Sequence, residues 1–402
     1  MYLYNRNMEV FTLLNRFQKI FKTLMLIILV AIVTWTLSVT FMYKKYGSMP
    51  YIASSKNSDI VKIAETLAKF KTIINNEYLG EIKEEDLING AVKGYIEALG
   101  DPYTEYLTED EMDKLQTYTE GSYVGIGVYI AANSIDNNII VIAPIKNSPA
   151  EEAGIKSGDI ISKVNGISYE AKDIVEVSDI MKGQEGTNVN IEIIRDGEIL
   201  NFEITRKSVK LQYINGKIIE NNIGYIEISS FDEEASKDFK EVYDDLENKG
   251  MKSLIIDLRD NGGGVVAEAL KIADMILDKD KIMIITVDKN NKKEVSKSKN
   301  DATINIPIVI LANKSTASAS EILIGALKDN DKARFVGTTT YGKGLIQQLR
   351  KLSNGTGLKV TIAEYFTPSE NPINGKGIEP DYKVEIESNI DTQLEKAIEL
   401  LK

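Results

Sequence analysis

Between Thr23 and Tyr43 the chain carries no charged side chain, and the run LMLIILVAIVTWTLSVTFM lies inside that stretch. About 20 apolar residues match the hydrocarbon thickness of a bilayer when helical, and in lipid a helix satisfies every backbone N–H and C=O within one segment. The run therefore reads as a transmembrane helix over 24–43. It is longer than the apolar core of a signal peptide and shows no small-residue exit of the A-x-A kind, so an uncleaved anchor is expected. Arg6, Arg16, Lys19 and Lys22 precede it, and Lys44 and Lys45 come after it. The stronger positive signal puts the arm 1–23 in the cytoplasm and the rest of the chain outside it. The expected protein is single-pass, in the cell membrane, with an extracytoplasmic body.

Two absences then remove whole classes of chemistry. Among 402 residues there is no histidine and no cysteine, so the chain cannot form a Ser-His-Asp triad, a Cys-His pair, a zinc finger or a His-ligated metal centre. No metal site and no cofactor is expected. A nucleophilic hydroxyl here needs Lys, Asp or Glu as its base. A net charge of −12 and a pI near 4.9 argue against nucleic acid as a partner, since that binding depends on clustered Lys and Arg.

Periodicity divides the chain beyond the anchor. Ile60, Ile63, Leu67, Phe70 and Ile74 share one helical face, as do Ile88, Val92, Tyr95 and Leu99. Gly100 and Asp101-Pro102 stop the second helix, and Thr108 with Glu111 forms a capping box opening a third. A helical N-terminal region over 58–118 results. From about Gly121 the texture changes to short β-prone runs (VGIGVYI, NIIVIAPI, DIISKVNG, NVNIEIIRDG, ILNFEITR) with two helical inserts, a compact β-rich module over 119–206. Strands then alternate with amphipathic helices over 207–370, an α/β or α+β core. In the C-terminal region 371–402, Leu394, Ala397, Ile398 and Leu401 fall on one helical face.

Three segments of that core carry chemistry. The buried-strand signature IPIVILAN runs into KSTASASEILIGALKD, which places Ser318 at a strand-to-helix junction. Ser318-Ala-Ser-Glu321 is itself a capping box, the ordinary role of serine there, yet the helix start also offers unpaired N–H groups to an oxyanion. In GTTTYGKGLIQQL, Lys343 stands between two glycines with Gln347 four residues on. Gly337 to Lys343 matches the phosphate-loop pattern G-x-x-x-x-G-K, but Gly344 stands where a magnesium-holding Ser or Thr belongs, which counts against a nucleotide hydrolase. DLRDNGGGVVAEAL ends a strand in a triple-glycine loop whose N–H groups, with that of Ala319, suit an oxyanion hole.

STASASEI, GTTTYGKGLIQQ, DLRDNGGG, ALGDPYTEYLT, GIGV and YFTPSENPINGKGIEPD, in that family's order and spacing, resemble the carboxyl-terminal processing peptidases, or tail-specific proteases, from about residue 58 to the end. The resemblance implies Ser318 as nucleophile, Lys343 as base, Gln347 as the residue orienting that base, and backbone N–H groups of Gly263 and Ala319 as oxyanion donors. It implies a PDZ-like module whose loop Gly125, Ile126, Gly127 and Val128 takes the substrate's terminal carboxylate and gates the site. The implied fold is multidomain α+β: transmembrane helix, helical N-terminal region, PDZ-like β-rich domain, a catalytic core of the ClpP and crotonase type, and a C-terminal helix packing on the N-terminal helices. A homodimer through the helical ends is implied as well. Thr316, Tyr341, Gly262 and Glu370 depart from the family pattern; none removes a catalytic group, and Gly262 leaves open which glycine N–H serves the oxyanion. The expected function is serine endopeptidase action on proteins with a free C-terminal tail. The alternative is an inactive membrane-tethered PDZ scaffold that binds such tails.

Overall fold

The computed structural model describes residues 21–38, 40, 58–387 and 390–402; the N-terminal arm through residue 20, the apolar run past Thr40 and the tether lie outside the described residues. Two compact units divide the chain at Asp86. The first holds α1 (Phe21–Ser38), with a mean hydropathy of 2.0 and the length to cross a membrane, and α2 (Ser58–Glu77), which realises the first periodic face.

The second unit begins within α3 (Glu84–Glu97), which carries Ile88, Val92 and Tyr95 and stops ahead of the Asp101-Pro102 turn. β1 (Glu105–Leu107) comes next, then α4 (Glu109–Glu120), opened by the Thr108–Glu111 capping box and closed by Gly121 in the left-handed region at φ 65°. Glu111 accepts from Thr108 N at 2.8 Å and pairs with Lys93 at 2.8 Å. The Lys93 bond foremost, then the Thr108 N–H, holds the Glu111 carboxyl down at about 2. Its contribution to stability is complete above its ordinary value of about 4.5 and is lost as pH falls through about 2. Between pH 5 and 3 the urea midpoint of the parent should therefore fall further than that of Glu111→Gln; parallel losses would remove this clamp from the acid response.

A ribbon of β2 (Ser122–Gly125) and β9 (Lys207–Lys210) leads into and out of a β-rich module. β3 (Val128–Asn133), β4 (Asn138–Pro144), β5 (Ile160–Val164), β6 (Ile167–Ser168), β7 (Asn188–Arg195) and β8 (Glu198–Thr205) form one sheet in the order β3-β4-β5-β7-β8, with β6 beside β5. α5 (Pro149–Ala153) and α6 (Ile174–Met181) close it around Ile139, Val141, Ile161, Val177, Ile191 and Ile193. β3 is an edge strand, open along one side within this sheet.

The core is built on β10 (Ile214–Ile218), β11 (Ile223–Ile228), β12 (Ser253–Asp257), β15 (Ile308–Ala312), β16 (Ala333–Gly337) and β19 (Tyr382–Lys383), in that spatial order and parallel except for β10. Strands covered on both faces read as unbroken apolar runs, and SLIID and IVILA are of that kind. Leu254, Ile256, Ile308 and Ile310 face α7 (Ala235–Asn248), α8 (Val266–Ile276) and α9 (Ala319–Lys328), whereas Ile255, Val309 and Leu311 face α10 (Thr392–Leu401). A second, antiparallel sheet joins β1 to β18 (Gly357–Phe366), β13 (Ile282–Asp288) and β14 (Lys293–Lys297), with β17 (Leu345–Lys351) also on β18.

Two expectations change here. The periodic face of α10, reserved for the N-terminal helices and for self-association, is consumed by the core: Leu394, Ala397, Ile398 and Leu401 pack on the parallel sheet. The expected ClpP- and crotonase-type core is also corrected, because strand-helix-strand units account for only the parallel sheet. β1, from the stretch expected to be wholly helical, pairs with β18 across some 250 residues.

Candidate active site

Ser318 is the last residue before α9, at φ 58° and ψ −117°. A residue with a side chain is strained there by about 1–3 kcal/mol, and such strain persists only where the surroundings over-determine it. Glu321 Oε2 accepts from Ser318 N at 2.9 Å, and the Tyr365 phenol donates to Ser318 O at 3.1 Å. Behind the side chain the glycine loop comes so close that a Cβ on Gly263 would lie 2.8 Å from Ser318 Cβ.

Lys343 enters from the turn between β16 and β17. The flanking glycines are required by the loop that runs against this turn: a Cβ on Gly344 would stand 2.3 Å from Asn374 N, and one on Gly342 2.8 Å from Gly377 N. Glu321, wholly buried, joins this turn to the serine. Its Oε1 accepts from Thr340 Oγ1 at 2.6 Å and Gly342 N at 2.8 Å, and its Oε2 from Lys343 N at 2.9 Å besides Ser318 N. Tyr365 matches it from the other side, its hydroxyl meeting Lys343 O as well as Ser318 O. Burial pushes the Glu321 carboxyl up, and the four donors pull it back only in part. In the sequence Glu321 reads as a helix cap alone. The signal for more is that it is the one acid in ASEILIGALK, a helix buried on every side, where a carboxylate needs partners.

Asn261 performs a similar service for the glycine loop. Fully buried, it accepts from Gly263 N through Oδ1 at 2.8 Å, donates to Ile228 O at 2.8 Å, and its own carbonyl accepts from Ala317 N at 3.0 Å. The Gly263 N–H expected in the oxyanion hole is thereby occupied. The N–H groups of Gly264 and Ala319 have no acceptor among the described residues. Gly264 has no room for a side chain, since a Cβ would fall 2.1 Å from Phe231 O.

Ser318, Lys343, Gln347, Gly262, Gly264 and Phe231 line a single cavity of about 310 Å³. Burial lowers the pKa of Lys343 and the nearby charge of Lys359 adds to this, while Glu105 and Glu321 oppose it. The ammonium lies over the ring of Tyr103, 4.9 Å from its centroid. Gln347 comes just after a one-residue register shift between β17 and β18, the kind of irregularity that re-aims a side chain. Its amide donates to Leu345 O at 3.1 Å and Thr361 Oγ1 at 3.3 Å. Among the described residues, no hydrogen bond joins Lys343 Nζ to Ser318 Oγ or to Gln347. The structure gathers all three side chains at one cavity without bonding them together.

In the β-rich module the loop Gly125–Val128 links β2 to the edge strand β3. Gly127 has φ 78°, and its carbonyl accepts from Ile145 N and from Ser148 Oγ, the N-cap of α5. The phenol of Tyr123, which burial pushes up, faces the N–H groups of Val128 and Gly127. Those are two of the donors expected to hold a carboxylate. Among the described residues, no three His, Cys, Asp or Glu side chains converge as metal ligands.

These features define a strained serine and a half-buried lysine on one cavity, beside a module with a free strand edge. Known families match along the chain: peptidase family S41 over residues 222–384, a PDZ domain over 140–195, which leaves β3 and the loop before it outside the match, and the N-terminal domain of the activating protease CtpB over 29–111. Carboxy-terminal processing protease CtpA of Bacillus subtilis is 35% identical over 314 residues, covering 78% of this chain and 67% of its own length. A probable CtpA-like serine protease of Staphylococcus haemolyticus is 35% identical over 318 residues, 78% of this chain and 63% of its own. These relatives are longer proteins, of which the match spans about two thirds or somewhat less. The crystal structure of a putative S41 protease from Bacteroides fragilis shares the fold at a TM-score of 0.51 and 16% identity, over 77% of this chain and 89% of that one. The chain belongs to peptidase family S41, the CtpA-like serine endopeptidases that carry a PDZ domain. This overturns the ClpP and crotonase assignment: the core is of the S41 type. The assignment is one that the resemblance implies, and the βαβ-like units that go with it are common to many α/β folds.

Proposed function

We propose that this chain is a membrane-anchored endopeptidase in which Ser318 attacks the scissile carbonyl and Lys343 is the base. Neutral Lys343 takes the Ser318 hydroxyl proton as Oγ bonds to the carbonyl carbon. The oxyanion is met by the N–H of Ala319 and one N–H of the glycine loop, that of Gly264 in the present arrangement. Collapse breaks the C–N bond, and the Lys343 ammonium returns its proton to the leaving amine. Water then cleaves the acyl ester by the same route. Gln347 orients the amine once Lys343 turns to Ser318. The observation that carries this reading is the shared cavity, which puts a strained serine, a lysine of lowered pKa and Gly264, whose N–H is unpaired among the described residues, in one place.

Substrates are proteins with a free C-terminal tail. The open edge of β3 suits a peptide added as an extra strand, with its carboxylate at the Gly125–Val128 loop once Tyr123 moves aside. The PDZ-like domain takes up 119–206 and the peptidase core begins near 207. α1 anchors the chain, and the positive arm ahead of it favours an extracytoplasmic body.

The test uses the full chain in detergent, with matched peptides bearing an apolar C-terminus as free acid or amide. The free acid should be cleaved at least about ten-fold more efficiently, the order expected for losing one charge-assisted contact, and Ser318→Ala should cleave neither. Equal turnover of acid and amide removes tail reading. Cleavage that survives Ser318→Ala removes the nucleophile assignment, and carboxylate-dependent binding without cleavage by the parent would leave the scaffold alternative.

A further inference from the structure

The ammonium of Lys343 rests on an aromatic face and not on the serine, and the residue that supplies the face is held in place by the neighbourhood of Gln347. Tyr103 comes directly after the Asp101-Pro102 turn. Its N–H donates to Asp101 Oδ1 at 3.0 Å, and Thr104 Oγ1 donates to Asp101 Oδ2 at 2.6 Å. The turn is pinned to β18, where Thr361 N donates to Thr104 Oγ1 at 3.1 Å. That same Thr361 accepts the Gln347 amide on its hydroxyl. One threonine thus connects the turn that carries Tyr103 with the side chain that would orient the amine.

The charged and titratable groups around Lys343 are Lys359 on β18, Glu105 on β1, Glu321 on α9, and the phenols of Tyr103, Tyr341 and, on β18, Tyr365, whose hydroxyl meets the Lys343 carbonyl. Glu105 is paired with Lys359, and both Glu321 oxygens are taken by four donors. Tyr341 lies near the Tyr103 phenol, and the Tyr103 ring face is turned to the ammonium. A cation within about 6 Å of a ring centroid is attracted by the ring quadrupole, more so when partly desolvated.

We infer that Tyr103 is a positioning residue for the base: its ring holds the Lys343 ammonium away from Ser318 in the resting protein and competes with Ser318 for the amine. This rests on the proposed Ser318–Lys343 pair. Lys343 is then under two opposed influences. Burial favours the neutral amine needed for catalysis, and the ring favours the ammonium that cannot act as base. Productive geometry requires the amine to lose its proton, leave Tyr103 and take Gln347 from Thr361.

The ring's two contributions, quadrupole and apolar cover, are separated by substitution. Tyr103→Phe keeps both and loses only the hydroxyl; Tyr103→Leu keeps the cover and loses the quadrupole. The full chain, carrying lysine isotopically labelled at Cε, is titrated by NMR in detergent, with the Lys343 signal assigned by its loss in Lys343→Met, and kcat/KM is measured against pH on the same samples. Tyr103→Phe should titrate within about 0.3 unit of the parent. Tyr103→Leu should titrate about 0.5 to 1 pH unit lower, with the rising limb of kcat/KM moving by the same amount. A Tyr103→Leu midpoint equal to or above the parent's overturns the inference, because the ring would then be cover only. If the lysine signal shifts as expected while Lys343→Met still cleaves, the contact stands and the Ser–Lys reading fails. If Lys343→Met is dead and Tyr103→Leu leaves the midpoint in place, the inference alone fails.

Discussion

Lys343→Met is expected to abolish cleavage and to make the protein more stable. Removing a positioned base, the role proposed for Lys343, lowers turnover by about 10²–10⁴-fold, so kcat should drop about 10³-fold or more. The stability gain comes from the same burial that equips the lysine. Its pKa is lowered in the fold, with desolvation the largest cause. The folded protein therefore binds that proton less tightly than the unfolded chain, and the ammonium weighs against folding at neutral pH. The cost vanishes only above the unfolded value of about 10.5. Methionine has a similar shape and no charge, and replacing buried charge by apolar volume is often stabilising. Lys343 is half-buried and favourably placed on Tyr103, so the gain should be small, about 1–3 °C in Tm. Calorimetry at pH 7 and pH 10 checks the sign: the advantage of Lys343→Met should shrink at the higher pH. A variant that is inactive and also less stable at pH 7 would mean that the ammonium is held favourably and that burial does not set its acidity.

The second large effect is expected at Glu321, which never needs to touch substrate. Glu321→Ala strands three backbone N–H groups and the Thr340 hydroxyl in a dry interior. Each buried donor left without its acceptor costs about 1–3 kcal/mol, and the substitution leaves four. It also frees both the Ser318 and the Lys343 backbones, and misplacement by about 1 Å costs on the order of 10²-fold in rate. Glu321→Gln should fall between, since one oxygen still accepts while the amide nitrogen faces two donors. Urea unfolding and kcat, measured together on both variants, should fall in the same order. A Glu321→Ala protein with full kcat, however unstable, would show that this carboxylate supports the fold without placing the pair.

How much of the site is legible in the sequence depends on the range of the interactions involved. Ser318 and Lys343 stand out because each sits in a short segment whose residue types are dictated by local geometry: a strand-to-helix elbow and a glycine-flanked turn. Gln347 stands out only through the family resemblance, and its bonds to Leu345 and Thr361 not at all. Asn261 is silent, because a single Asn in DLRDNGGG looks like loop chemistry until the chain folds and Gly263 N, Ile228 O and Ala317 N meet on it. Gly263 illustrates the converse. Its place beside Ser318 can be anticipated, but the direction of its N–H, toward Asn261, is a property of the folded loop.

The membrane-length apolar helix, the exclusion of histidine and cysteine chemistry, the β-rich module and the alternation of buried strands with amphipathic helices are legible before folding, because each is written in charge, composition or a periodicity of a few residues; that the core strands run parallel is seen only in the fold. Only the tertiary structure decided that β1 completes a second sheet with β18, that α10 spends its apolar face on the core, and that Tyr103 lies under the lysine. The physical reason is the separation of the partners. Glu105 and Lys359, like Tyr103 and Lys343, are brought together from opposite ends of the second unit. No local propensity records a pairing that exists only once the intervening strands have packed.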